Sequence, residues 1–335
     1  MKKGDVIFFK EPPVITHWAA VGGKKEGEGP LREGFDQLYQ DNYMAQANWE
    51  QAERALQSAC AAILLKKGRL TAEKVGLALA GDLQAQCTAS SYAMRELGVP
   101  YAGLYGACST MAEGLALASC LAAGGAAENI LTLTSSHFCA AERQFRTPLN
   151  YGGKRTPTAQ WTATASGGCL VRPSGKGVRV RAVTFGRVRD YGVSDINNMG
   201  AAMAPAAAST LLRHFRDTGT GPTDYDAIYT GDLGRVGSEL LEQLLEKEGF
   251  ALPRHRDCGL LLYGEDDGQV GAGGSGAGCS AAVLSAHILP RLEAGTEGHV
   301  LFVATGALMS QTTFLQGQTI PGIAHLVELE SPEPL

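Results

Sequence analysis

Tyr101-Ala102-Gly103-Leu104-Tyr105-Gly106-Ala107-Cys108-Ser109-Thr110-Met111 is the stretch on which the reading of this chain turns. A short apolar run, 101–105, reads as a strand, and 109–123 reads as a helix closed by Gly124-Gly125. Between them a small turn carries Cys108. A cysteine at a helix start meets unpaired backbone N–H groups and the positive end of the helix dipole, which lower its pKa and stabilise a developing oxyanion. Acyl chemistry at such a thiolate still needs partners that handle protons. Whether they exist elsewhere in the chain decides between an enzyme and a pocket.

Working outward, Asn48 is an N-cap candidate with Gln51 three residues on. Apolar residues at 52, 55, 56, 59, 60, 63 and 64 follow at helical spacing, and Lys66-Lys67-Gly68 ends the pattern. The spacing predicts a buried strand at 75–80, a helix at 88–97 closed by Gly98 and Pro100, and a strand at 129–135. A polar, non-periodic loop from 142 to 158 carries Arg143, Arg146, Lys154 and Arg155, and loops of this length in compact α/β domains are usually functional. Pro173-Ser-Gly-Lys-Gly177 punctuates the chain and divides it into an N-terminal half, 1–175, and a C-terminal half, 176–335. The second half reads as strand 178–188, helix 201–215, strand 226–230, helix 236–248, strand 260–263, helix 276–289 and strand 299–305, with an apolar stretch at 323–329 adding a last strand. Strand and helix alternate in both halves, which predicts an α/β fold of two similar layered units.

With 335 residues, 44% of them hydrophobic and 19% charged, the chain can bury a large core. Its 29 Lys and Arg against 34 Asp and Glu give a net charge of −5, which argues against nucleic acid as a partner. Eight cysteines without a Cys-x-x-Cys pair, and no secretory apolar segment at the start, point to reduced thiols in a cytoplasmic setting. The longest apolar runs, 115–123 and 201–208, fall short of the roughly 20 residues of a membrane span, so membrane association is expected to be peripheral.

The chain resembles the thiolase and ketosynthase superfamily, in which a nucleophilic cysteine opens a buried helix in the first of two similar halves. Within it the chain resembles most the stage V sporulation protein AD family of spore-forming bacteria. The resemblance rests on Gly106-Ala-Cys-Ser-Thr-Met111, Ser135-Ser-His-Phe-Cys-Ala-Ala-Glu-Arg-Gln-Phe-Arg146 and Tyr151-Gly-Gly-Lys-Arg-Thr-Pro-Thr-Ala-Gln-Trp-Thr162. It extends to Tyr229-Thr-Gly-Asp-Leu-Gly-Arg-Val-Gly237, Gly273-Gly-Ser-Gly-Ala-Gly-Cys-Ser-Ala281 and Gln316-Gly-Gln-Thr-Ile-Pro-Gly-Ile-Ala-His325. It implies a thiolase-like fold and binding of dipicolinic acid, alone or as its calcium chelate, during loading of the developing spore. It also implies a homodimer, the other subunits of the stage V sporulation membrane complex as partners, and a cytoplasmic place at the forespore or inner spore membrane.

Ketosynthase-like relatives place a histidine after the strand matching 226–230, and a second His or Asn in a later glycine-rich loop. Here those positions fall near Gly231 and near Gly273 or Gly274, and neither loop holds a His or an Asn. Claisen condensation or thiolysis is therefore not expected, and a glycine in each loop is expected to enlarge the space over Cys108 for a compact aromatic diacid.

The candidate ligand-binding residues are Cys108, Ser109, His137, Arg143, Gln160, Gly231, Gly274 and Ser275. His137 serves either as a pocket wall donating to a carboxylate or as a core histidine. The cations of 142–158 either clamp carboxylates or lie on a solvated or subunit-facing loop. Gln160 and Trp161 offer an amide and a stacking face, or pack in the interior. Gly271-x-Gly273-x-x-Gly276 formally matches a dinucleotide fingerprint but follows a polar stretch rather than a strand. Asp224, Asp226, Asp232, Asp266 and Asp267 do not make a dense oxygen cage, so no metal site and no cofactor are expected, calcium arriving only with the ligand. The leading reading is a non-catalytic binding subunit. An acyltransferase using Cys108 with a relocated base at His137, and a purely structural scaffold, are the alternatives.

Overall fold

The computed structural model describes residues 1–145, 155–264 and 268–332. Two short strands, β1 (Lys2–Lys3) and β2 (Val6–Phe8), precede the long β3 (Val14–Gly22) and the short β4 (Gln37–Leu38). The Asn48 side chain accepts the Gln51 N–H at 2.9 Å and starts α1 (Trp49–Gly68), which Arg69 ends in left-handed backbone. There follow β5 (Leu77–Gly81), α2 (Thr88–Leu97), β6 (Tyr101–Gly103), α3 (Thr110–Ala123), β7 (Ile130–Ser136) and α4 (Phe138–Phe145). The half closes with β8 (Trp161–Thr162) and β9 (Ala165–Arg172).

The 173–177 punctuation lies between β9 and β10 (Val178–Thr184). The second half continues through α5 (Met199–Thr218), β11 (Ala227–Thr230), α6 (Gly234–Glu246), β12 (His255–Asp257), α7 (Cys258–Tyr263) and β13 (Gly274–Ser275). Then come α8 (Ala277–Val283), a π turn (Leu284–Ile288), α9 (Leu289–Glu293), β14 (His299–Ala307), α10 (Gln311–Leu315) and β15 (Gly322–Glu330).

Strand neighbours run β12-β11-β14-β15-β10-β3-β9-β7-β5-β6, so one ladder system joins the halves where β10 meets both β15 and β3. α3 touches β7 and β9 of the first half and β14 and β15 of the second. It is buried on nearly every face, as its run of Ala, Leu and Gly permits. With α8 it forms a central layer; α1 and α2 cover the outer side of the first half, α5 and α6 that of the second. Among the described residues no helix is long and apolar enough to cross a membrane.

Three expectations need correction. Residues 260–263 belong to a helix, because Asp257 caps them by accepting the Gly259 and Leu260 N–H groups at 3.0 and 3.3 Å. The strand expected over 178–188 stops at Thr184. The loop expected from 142 begins as the last turn of α4, through Phe145. The central strands β3 and β9 add to what the spacing foresaw; β9 is buried on both faces and so shows no alternation.

Candidate functional site

Cys108 sits in a 3-10 turn, Ala107–Ser109, that leads into α3, and Ala107 holds left-handed backbone at φ 52°. Local hydroxyls fix the turn. Ser109 Oγ donates to the Gly106 carbonyl at 2.6 Å, Thr110 Oγ1 donates to the Ala107 carbonyl at 2.7 Å, and the Gly106 N–H donates to Thr110 Oγ1 at 3.2 Å. Ser109 is thus buried beneath the turn.

Opposite Cys108 lies Asp232, in the loop between β11 and α6, and it is fully buried. Its Oδ2 accepts Ser275 Oγ–H at 2.8 Å and the Gly276 N–H at 2.9 Å, and its Oδ1 accepts Thr305 Oγ1–H at 2.8 Å. Ser275 Oγ also stands 4.0 Å from Cys108 Sγ, so Ser275 links the thiol to the same carboxylate. Burial raises the Asp232 carboxyl while these donors pull it down. Burial likewise pushes the Cys108 thiol well above its ordinary value, and the Asp232 charge adds to the rise. The lowered thiol pKa expected from a helix start is therefore overturned. Desolvation and a nearby carboxylate outweigh a dipole that acts through one 3-10 turn.

Cys108 and Ser275 form one end of a cavity of about 390 Å³, within the roughly 300–1,000 Å³ of small-molecule sites. Leu83, Tyr105, Phe145, Met199, Met203 and Met309 make much of its wall, with Asn197, Ser310 and Thr313 as polar points. Gln160 also lines it. Its Nε2 donates to the Asp232 carbonyl at 2.7 Å and the Gly274 carbonyl at 3.0 Å, while its Oε1 is buried without a partner among the described residues.

The other candidates lie elsewhere. His137 is buried with Nε2 2.9 Å from the Asn42 carbonyl, and burial holds its ring below the ordinary histidine range, so it is placed as a core histidine. Arg143 reaches away to Glu50, with Nε donating to Oε1 at 3.0 Å and a second bond from Nη2 to Oε2, and it lies 4.9 Å over the Trp49 ring. Arg155 donates to the Gln160 carbonyl at 2.8 Å and pairs with Glu142 of the cavity wall. It lies 5.0 and 5.3 Å from the Phe138 and Trp161 rings, themselves stacked at 3.9 Å. Arg155 and Trp161 therefore stand behind the lining, where Arg155 braces Gln160 and Glu142. Arg146, Lys154, Asp266 and Asp267 lie outside the described residues.

Neither glycine opens the pocket. A Cβ at Gly231 would stand 3.0 Å from Ala304 Cα and Thr305 N, and one at Gly274 would meet the Tyr263 ring at 3.0 Å and the Gly259 carbonyl at 3.1 Å. The expectation that these glycines enlarge the space over Cys108 is corrected: each permits close packing of backbone on its neighbour. The residue missed as part of the site at the sequence level is Asp232, which Ser275 links to Cys108. Its one sequence signal is an acid two residues past an apolar strand, at the carboxyl edge where α/β folds place ligands. Among the described residues no group of three His, Cys, Asp or Glu side chains is placed to hold a metal ion.

Comparisons with known proteins give two kinds of likeness. Residues 4–330 match the family model for stage V sporulation protein AD. The stage V sporulation protein AD of Bacillus subtilis (strain 168) is 43% identical over 323 residues, covering 96% of this chain and 95% of that protein. By structure, the chain is similar to 3-oxoacyl-[acyl-carrier-protein] synthase III from Aquifex aeolicus VF5, with TM-score 0.58, 12% identity, and coverage of 95% of this chain and 99% of that one. It is also similar to a variant of OleA from Xanthomonas campestris, with TM-score 0.62, 13% identity, and coverage of 97% of this chain and 99% of that one. At these identities the structural likenesses establish the thiolase-like fold alone.

Proposed function

The chain belongs to the stage V sporulation protein AD family, and from that premise we propose that it is a non-catalytic binder of dipicolinic acid that serves a membrane complex loading the developing spore. The observation that carries the non-catalytic part is the link from Cys108 through Ser275 to Asp232: the would-be nucleophile is a thiol that burial, and then a nearby buried carboxylate, keep from ionising. A thiol in that state supports non-covalent contact and withholds the thiolate that acyl transfer requires. Stacking and apolar contact from Phe145 and the methionines suit a flat aromatic ring.

The charge of the site favours one form of the ligand. Among the described residues that line the cavity no Lys or Arg is present, and the charged one, Glu142, is paired with Arg155. A free dianion finds no cation among those residues, whereas the neutral calcium chelate needs none. Calorimetric titration of the purified protein with dipicolinate, in calcium and in a chelator, tests both points. Tighter binding in calcium is expected, and absence of heat in both arms overturns the reading. Intact-mass measurement after incubation with an acyl thioester examines the acyltransferase alternative, since a stoichiometric adduct lost in Cys108→Ala establishes an enzyme.

The further proposals follow from family membership. Attachment at the forespore or inner spore membrane is peripheral, through other subunits, and the chain forms a homodimer. The terminal position of β6, which pairs with β5 alone among the described strands, leaves an edge for a second copy. Light scattering at several concentrations checks the dimer.

A further inference from the structure

We propose that Asp232 is the positioning residue that masks Cys108 through Ser275, keeping it a thiol, and that neutralising this one carboxylate unmasks a reactive cysteine in the cavity. The inference concerns the same cavity as the proposed ligand but does not depend on which ligand fills it.

The geometry is that of a built clamp. Asp232 is fully buried and its two oxygens are held by three hydrogen bonds of 2.8–2.9 Å from two distant segments: the consecutive Ser275 and Gly276 where β13 leads into α8, and Thr305 on β14. None of these donors is a cation, so the carboxylate keeps its negative charge beside the thiol. Two groups that could lower the thiol, Ser275 Oγ at 4.0 Å from Sγ and the Gly276 N–H, both direct their protons to Asp232 Oδ2, which leaves the Ser275 oxygen to accept from the thiol. Other ionisable groups near the turn do not relieve this. Cys258 and Cys279 are buried thiols, Asp257 caps α7 and donates nothing, and Glu142 is occupied by Arg155. The arrangement thus inverts what an imidazolium does beside a cysteine: the neighbour stabilises the thiol over the thiolate.

A single unit charge nearby moves a pKa by about 1–3 units. The thiolate fraction at a fixed pH below that pKa then changes by about 10- to 1,000-fold. Lower basicity weakens the nucleophile by roughly half of that gain on a logarithmic scale. Asp232→Asn is therefore expected to raise the alkylation rate of Cys108 by about threefold to thirtyfold.

The test follows carbamidomethylation by iodoacetamide, in which Sγ–C forms as C–I breaks, iodide leaves and the thiol proton passes to buffer. Rates at Cys108, Cys120 and Cys139 are measured by peptide mass from pH 6.5 to 10. In the unaltered protein, Cys108 lags both half-buried reference thiols and its rate is still climbing at pH 10. In Asp232→Asn, Cys108 accelerates and its midpoint moves down in pH while the other two keep their profiles; Asp232→Glu, which retains the charge, restores the lag. Unchanged Cys108 kinetics in a folded Asp232→Asn overturn the proposal. If that variant does not fold, the unaltered protein still decides: Cys108 reacting as fast as Cys139 at pH 8 overturns it, and a lag supports it.

Discussion

Placing an alanine or a histidine at Gly231 separates a catalytic vacancy from a packing requirement. The ideal Cβ at that position stands 3.0 Å from two backbone atoms of β14, Ala304 Cα and Thr305 N, and 3.4 Å from Ser280 Cβ. Backbone cannot rotate aside as a side chain can. β14 is held on both sides, by β11 in parallel and β15 in antiparallel pairing, and Gly231 itself donates its N–H to the Val303 carbonyl at 3.0 Å. Gly231→Ala therefore overpacks a rigid site, at a cost of about 1–3 kcal/mol, or a fall in melting temperature of roughly 2–8 °C for a chain of this size. Gly231→His starts from the same Cβ, aimed at β14, and so costs at least as much and yields no acyl adduct on Cys108. Thermal unfolding by circular dichroism at one scan rate, paired with intact-mass analysis after thioester treatment, reads both quantities. Gly231→Ala melting within a degree of the parent, or Gly231→His acquiring an adduct, refutes the reasoning.

Three further outcomes are expected. Thr305→Val removes one of the donors to buried Asp232 and should cost about 1–3 kcal/mol in chemical denaturation; a change below about 0.5 kcal/mol, the size of ordinary surface substitutions, contradicts the clamp. Arg155→Ala removes the cation beside the stacked Phe138 and Trp161 rings and its ion pair with Glu142. It should weaken dipicolinate binding by titration, because Arg155 stands behind the lining and braces Gln160 and Glu142 within it; unaltered affinity contradicts that role. The melting temperature should also fall on both sides of neutrality. Burial, reinforced by Asp82, raises Glu53 from 4.5 to about 8, so the folded state holds a proton the unfolded chain has lost, and stability declines as pH rises from about 4.5 through 8. Burial lowers His214 and His325 to about 4, so the unfolded chain gains protons first, and stability declines as pH falls from 6.5 toward 4. Glu53→Gln should flatten the alkaline limb alone, and an unchanged slope between pH 7 and 9 removes Glu53 as its cause.

Much of the α/β alternation was legible because local signals carry it. The Asn48 cap, the helical spacing of α1 and the small residues of the cysteine turn all act within a few positions of themselves. The failures share one cause, dependence on distant partners. Leu260 to Tyr263 is an apolar run that a strand and a helix fit equally well, and the Asp257 cap decides it. β9 lost its alternation because α1 covers one face and α8 the other. At the site, Cys108, Gln160 and Ser275 converge as candidates on one cavity, whereas His137 and Arg143 are drawn off by Asn42 and Glu50, neighbours that no local spacing reveals. Asp232 acquires its meaning from Ser275, Gly276 and Thr305, more than 40 residues downstream.

The position of β15 bears on how the chain reaches its native state. This strand follows every other in sequence yet lies between β10 and β14, and its ladder joins Arg179 to Glu330 across half the molecule. Contacts of such separation demand loop closure before they repay it, which makes assembly slow. A nascent chain that has not yet released residues 322–330 presents β10 and β14 with bare edges, and bare edges recruit other chains. Production of the protein should therefore be limited by aggregation during synthesis, and slower translation or lower temperature, rather than a stabilised core, should raise the soluble yield.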